Sequence, residues 1–151
     1  CLAITMRALI QRVTSASVIV DKVLVNSIDK GLLIFLGIGK NDDLNDAEFL
    51  ANKISKLRIF SDNNNKMNCS VQDLNFELLV ISQFTLYANC NKGNRPSFQD
   101  SEDPKEAENL YNLFVEYLKK LKNNVKTGKF GAIMDIQLNN QGPVTIMLES
   151  K

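Results

Sequence analysis

The run Gly31-Leu32-Leu33-Ile34-Phe35-Leu36-Gly37-Ile38-Gly39 is almost wholly apolar, too short for a helix and closed by glycines at both ends. Such a segment suits a strand buried on both faces, and so predicts a central strand. With 151 residues and 44% apolar content, the chain is long enough for one well-buried core and too short for two. A single domain over residues 6–151 is expected. Cys1-Leu2-Ala3-Ile4-Thr5 precedes the strand-like start at Met6 and reads as a cloning remnant or an unusual extension.

Around that strand the pattern is strand-rich. Arg7–Val13, Ser17–Val20 and Val23–Val25 are branched runs, the last two separated by the turn-prone Asp21-Lys22. Ala47, Leu50, Ile54 and Leu57 recur at helical spacing behind Asp42 and Asp43, which favour the positive end of a helix. A polar turn at Ser61–Lys66 leads toward another buried strand, Glu77–Ser82. Asn89–Asp103 reads as a surface loop. A second helix then starts with Asp103 as N-cap, Pro104 in the first turn and Glu106 as capping-box partner; its apolar face is Ala107, Leu110, Phe114, Leu118 and Leu121. Ala132–Leu138 and Val144–Leu148 alternate on either side of Asn139–Gly142, which predicts a closing hairpin with Gly142-Pro143 in its turn. Strands in runs interrupted by two main helices indicate an α+β domain of largely antiparallel sheet.

Much chemistry is excluded. No histidine occurs, which removes Ser-His-Asp and Cys-His constellations and the usual neutral-pH base. Cys1, Cys69 and Cys90 are too few and too widely spaced for a zinc site or a disulfide framework, so no metal or other cofactor is expected and a reducing compartment is implied. Eighteen Lys and Arg against 17 Asp and Glu give no general attraction for nucleic acid, so any RNA contact must be local. Lys92, Arg95, Lys119, Lys120, Lys122, Lys126 and Lys129 are candidates for phosphate contact or simply a solvated face. No apolar run approaches the roughly 20 residues of a membrane span, and no signal-peptide stretch is visible. The expectation is a soluble, cytoplasmic protein.

What remains is a set of hydroxyl, amide and glycine-proline positions. Ser82, Gln83 and Thr85 follow a buried strand and either converge on a ligand or merely terminate the strand. Gly142-Pro143 is either an ordinary turn or a rigid pair of backbone carbonyls.

From Met6 to Leu148 the chain resembles the D-aminoacyl-tRNA deacylase family. The likeness rests on the two motifs Ser82-Gln83-Phe84-Thr85-Leu86 and Asn140-Gln141-Gly142-Pro143-Val144-Thr145, and on further landmarks in order: Arg7–Val13, Gly31–Gly37, Arg58–Asp62, Arg95–Phe98 and Thr127–Phe130. The resemblance implies a homodimer in which a cis Gly142-Pro143 of one subunit enters the other's site, reads the amino group and Cα, and rejects L-amino acids by collision. It implies hydrolysis of D-aminoacyl-tRNA, with glycyl-tRNA also admitted. Ser82, Gln83 and Thr85 are then catalytic, with Gln83 the best-placed donor to the oxyanion and Thr85 positioning a water activated by the RNA's own 2′-hydroxyl. Gly142, Pro143, Phe84, Phe130, Ala132, Met134 and Arg12 contact or support the substrate, whose recognised part is the 3′-terminal adenosine and its amino acid. Phe130 stacks on the adenine in this reading and is a core residue in the other. Gln141 departs from the acidic residue frequent in the family, which argues against a carboxylate there. The alternatives are a sister deacylase acting on mischarged L-alanyl-tRNA, with a trans Gly-Pro bond, and a non-catalytic nucleic-acid-binding relative.

Overall fold

The computed structural model describes residues 5–150. Cys1 to Ile4, most of the segment set apart in the sequence, lie outside these. Thr5 is buried, and its carbonyl oxygen accepts a hydrogen bond from the Tyr87 hydroxyl.

The strands are β1 (Arg7–Val20), β2 (Val23–Ile28), β3 (Gly31–Gly37), β4 (Phe60–Ser61), β5 (Met67–Cys69), β6 (Glu77–Ser82), β7 (Asn124–Thr127) and β8 (Asp135–Glu149). The helices are α1 (Leu44–Lys56) and α2 (Pro104–Lys120), and Phe84–Tyr87 form a 3-10 turn. The main sheet runs β2-β1-β3-β6-β7, with β8 along the free edge of β1. β1 is antiparallel to β2, β3 and β8, whereas β3–β6 and β6–β7 are parallel. β4 and β5 form a separate small hairpin around the predicted polar turn.

β3 is central, as its composition requires. Leu32, Ile34 and Leu36 face one hydrophobic cluster with Leu50, Ile54, Leu110 and Phe114 of the helices. Leu33 faces a second cluster with Val18, Ile28, Leu79 and Ile81. The second cluster exists because the sheet rolls: Asn26 Nδ2 donates to Thr127 O at 2.7 Å and Lys126 Nζ to Ser27 O at 2.9 Å, drawing β2 toward β7. Each leucine or isoleucine so enclosed contributes about 1.5–3 kcal/mol relative to exposure.

Three expectations are corrected. The first two predicted strands are one, β1, because Thr14-Ser15 forms an irregularity in the pairing with β8 rather than a break. The closing hairpin is likewise a single strand. β8 follows β1 along both halves, and between Asn140 and Thr145 it runs five residues while β1 advances two, from Val13 to Gln11. Gly142-Pro143 therefore sits in a bulge pushed out of an edge strand, not in a turn joining two strands. At the helices, Asp103 occupies the N-cap of α2 without a side-chain capping bond, so no capping box forms with Glu106. α1 has the full box: Asp43 Oδ1 accepts from the Asn45 and Asp46 N–H groups at 2.9 and 3.3 Å, and Asp46 Oδ2 accepts from the Asp43 N–H at 2.9 Å.

Tyr87 and Tyr111 are buried phenols whose hydroxyls reach backbone carbonyls, Tyr111 donating to Val80 O at 2.6 Å. Burial is the main influence pushing both above the ordinary value of 10.0, with the Asp42 charge adding to it at Tyr87. The native state thus holds these protons more tightly than the unfolded chain, so their contribution is full below the unfolded value and is lost as pH rises toward the native one. Denaturant midpoints measured from about pH 8 to about pH 11 should show no tyrosine-linked fall until near pH 10 and then drop. In the Tyr87→Phe/Tyr111→Phe variant the drop should be smaller; an equal drop would refute the assignment.

Candidate active site

The first motif and the tyrosine that follows it are held by contacts to β1 and β3. Where β6 ends, the Gln83 N–H donates to Leu36 O at 2.8 Å and turns the chain out of the sheet. Arg7 Nη1 donates to Leu86 O at 2.8 Å, while its guanidinium lies 4.8 Å from the centre of the Tyr87 ring. The Tyr87 hydroxyl also lies 3.1 Å from Gly37 O. A Cβ at Gly37 would stand 2.9 Å from the Tyr87 ring and 3.2 Å from Gln83 O, so glycine here permits the close approach. Within the turn, Gln83 Nε2 donates to Thr85 Oγ1.

Beside this turn lies a cavity of about 520 Å³. Ile81, Ser82, Gln83 and Phe84 form one wall. Phe130, Ala132, Met134 and Ile136 form a second, seated closely because Gly128 has no side chain: a Cβ there would come 2.8 Å from both Ile81 and Met134. The third wall is the start of α2 with Phe98 from the preceding loop. That loop is fastened by a bridge between Gly39 and Ser101 and by the Glu102 N–H donating to Ile38 O at 2.9 Å. Phe84 and Phe98 meet edge to face at 5.0 Å between ring centres. Phe130 is half-buried, tilted against Tyr111 at 5.8 Å, and also lines the cavity, so it has both a core side and a cavity side.

Of the residues singled out in the sequence, Ser82, Gln83, Phe84, Phe130, Ala132 and Met134 line this one cavity. Thr85 is exposed next to it. The Gln83 backbone N–H, bonded to Leu36 O, is spent in the fold. The Phe84 and Thr85 N–H groups open the 3-10 turn, with no earlier carbonyl in the turn to accept them.

Gly142, Pro143 and Arg12 lie elsewhere in the chain. Arg12 pairs with Leu32, whereas Gln83 bonds Leu36; four residues of β3 separate the two places, about 13 Å. Residues 141–143 are exposed and the Gly142-Pro143 bond is cis. Arg12 clamps the base of this tip, Nε donating to Gln141 O at 3.1 Å and Nη1 to Ile59 O at 2.7 Å. Asn140 closes it from inside, its Oδ1 accepting from the Val144 N–H at 3.1 Å and its Nδ2 donating to Thr145 Oγ1 at 2.8 Å.

Sequence reasoning passed over Phe98, Glu102 and Asp103 as lining residues. The two carboxyl groups give the rim negative charge, and among the described residues no lysine or arginine lines the cavity. Such a lining favours an ammonium group and repels phosphate. Among the described residues, no group of three or more His, Cys, Asp or Glu stands ready to hold a metal ion.

Residues 9–149 match the family described as D-Tyr-tRNA(Tyr) deacylase. A protein of Thermosipho melanesiensis named D-aminoacyl-tRNA deacylase is 53% identical, covering 97% of this chain and 98% of its own. A protein of the same name from Thermotoga petrophila is 52% identical, with 96% and 97% covered. A solved structure named c-Myc DNA Unwinding Element Binding Protein superposes with a TM-score of 0.91 at 42% identity, covering 96% of this chain and 99% of that one.

Proposed function

Because the chain belongs to the D-Tyr-tRNA(Tyr) deacylase family, we propose that it hydrolyses the ester of D-aminoacyl-tRNA, releasing free D-amino acid and tRNA. The observation that carries this reading is the convergence of Ser82, Gln83, Phe84, Phe130, Ala132 and Met134 on one cavity with an ammonium-favouring rim. The cavity receives the terminal adenosine and its amino acid, with Phe130 offering a ring to the base. Glu102 and Asp103 attract the α-ammonium group.

Chemically, the ester is already activated by the neighbouring ribose hydroxyl, so orientation and charge stabilisation supply most of the acceleration. The Phe84 and Thr85 N–H groups stabilise the developing oxyanion, because the Gln83 N–H is engaged elsewhere. Thr85 Oγ1 accepts from the Gln83 amide, a group that cannot take its proton. Thr85 therefore positions an attacking water, which the 2′-hydroxyl of the RNA activates, rather than attacking itself. Neither metal nor cofactor takes part. The enzyme acts in the cytoplasm, where charged tRNA is used; no helix among the described residues is long and apolar enough to cross a membrane.

The proposed unit is a homodimer in which the exposed tip at Gly142-Pro143 enters the partner's cavity. Support comes from the tip's distance from its own cavity and from exposed apolar side chains: Val23 is 66% exposed, Leu24 58% and Ile133 92%. Backbone carbonyls of the tip read the amino group and Cα, and an L side chain would run into them. An overlap of about 3 kcal/mol in the transition state is roughly a hundredfold in rate. With EDTA present, D-tyrosyl-tRNA should be deacylated at least about a hundredfold faster than L-tyrosyl-tRNA, and glycyl-tRNA should also be cleaved. Equal rates on the two tyrosyl substrates would sink the chiral reading.

The likeness to the structure named for a DNA unwinding element favours one second reading, nucleic-acid binding without catalysis. Duplex DNA bound at physiological salt, together with intact D-tyrosyl-tRNA, is the outcome that reading requires. Preferred cleavage of mischarged L-alanyl-tRNA in the same assay would select the sister deacylase instead.

A further inference from the structure

The cavity accounts for the amino acid and the terminal base but leaves the RNA's phosphates without a cation in its lining. A second depression, of about 510 Å³, opens at the far end of α1 between Phe49, Asn52, Lys53, Lys56, Leu57 and Arg58. Its charge is positive. Lys53 and Lys56 are exposed, and neither takes part in a salt bridge among the described residues. Arg58 donates to Asn68 through Nε at 3.1 Å and through Nη2. Asp73, held below the usual carboxylate range first by the Ser70 N–H and hydroxyl and then by the Arg58 charge, offsets part of Arg58. Phe49 is 48% exposed beside the two lysines.

The place of this depression matters as much as its charge. Arg12 bonds Ile59 O and Gln141 O with one guanidinium, so the segment that carries Arg58 is tied directly to the base of the Gly142-Pro143 tip. The Arg58 end of this face is therefore held beside the base of the tip.

We infer that the Phe49, Lys53, Lys56 and Arg58 face is an RNA-contacting surface, and that it grips the phosphates of the acceptor end of the tRNA whose aminoacyl group occupies the partner subunit's cavity. This rests on the cross-subunit reading above. Each site is then assembled from two parts of opposite character. The cavity, acidic at its rim, takes the ammonium and excludes phosphate, while the basic face delivered with the tip takes the backbone that emerges from it. Phe49 adds a hydrophobic surface for an unstacked base near the single-stranded end.

The bland alternative is that Lys53 and Lys56 only complement the negative end of α1, where cations in the last turn are stabilising. Arg58 is left intact in the test because its bonds to Asn68 hold the β5 hairpin. In the Lys53→Glu/Lys56→Glu variant, KM for D-tyrosyl-tRNA should rise roughly tenfold at low salt, and the slope of log KM against log salt should fall by about 1.5, as expected for two lost phosphate contacts. Hydrolysis of D-tyrosyl-adenosine, which has no acceptor stem, should be unchanged. Lys53→Gln/Lys56→Gln should lie between. Fluorescence anisotropy with uncharged tRNA reads the surface without any deacylation, so loss of binding in the variant supports the inference even if the wild-type protein proves inactive and the functional reading fails. Unchanged tRNA affinity and salt slope would overturn it. So would an equal loss on D-tyrosyl-adenosine, or a loss explained by a lower melting temperature alone.

Discussion

Gly142→Ala is expected to fold as the parent does and to lose D-aminoacyl-tRNA deacylation by about a hundredfold or more. The residue sits at φ +122°, a conformation an L side chain rarely adopts. A Cβ there would come 2.9 Å from Arg12 Nη2 and 2.9 Å from Val144 Cγ2. Arg12 cannot swing aside cheaply, since its guanidinium already bonds Gln141 O and Ile59 O. The tip must therefore shift, and a displacement of about 1 Å at a positioning element lowers rates by roughly two orders of magnitude. The strain is about 1–3 kcal/mol and is confined to a bulge on an edge strand, so the melting temperature should fall only modestly. Cys69→Ser and Cys90→Ser serve as controls with near-parental activity. A Gly142→Ala enzyme with parental rate and selectivity would remove the tip from the mechanism.

Gly31→Ala should do the opposite, destroying the fold before any question of activity arises. A Cβ at Gly31 would stand 1.8 Å from Glu77 O and 2.8 Å from the Glu77 carbonyl carbon. These are backbone atoms of the neighbouring strand, so nothing can rotate away. Gly31 opens the central strand, paired with Val13 on one side and with Glu77 on the other. Relief requires separating β3 from β6 at the point where both hydrophobic clusters begin, a loss on the order of 4 kcal/mol or more. Most of the stability of an ordinary domain would go with it. Urea unfolding should show a large drop in midpoint, or no folded baseline at all; a variant melting within a few degrees of the parent would contradict the packing described.

How far the sequence foretold this architecture depends on the range of the contacts involved. β3, β6 and both helices were legible because their signals are local: an unbroken apolar run, a branched run and helical spacing. The single strand β8 was not. Asn139-Asn140-Gln141-Gly142-Pro143 has the composition of a turn, and only the partner β1, more than a hundred residues earlier, keeps the two halves in one ladder. Thr14-Ser15 misled for the same reason. β7, four residues of mixed polarity, carries no alternation long enough to read.

The site divides along the same line. Ser82, Gln83 and Thr85 could be singled out because they follow a buried strand, and Phe84, Phe130, Ala132 and Met134 because of the family resemblance. Phe98, Glu102 and Asp103 are brought in by the bridge between Gly39 and Ser101, a contact with no pattern in the chain. The capping box at Asp43 and Asp46 was within reach of sequence reasoning but uses aspartate where glutamate or glutamine is usual, while Asp103 offered the familiar signature and left its capping bond unmade.

Six of the seven residues of β3 are buried, with Phe35 alone half-buried. An interior packed on both sides leaves such a strand no silent position, since a change of one methylene is felt by one cluster or the other. Substitution is therefore tolerated best at the margins, the Asn-rich hairpin and the outer faces of the helices. Those margins are also where a change of RNA preference can be explored without endangering the scaffold.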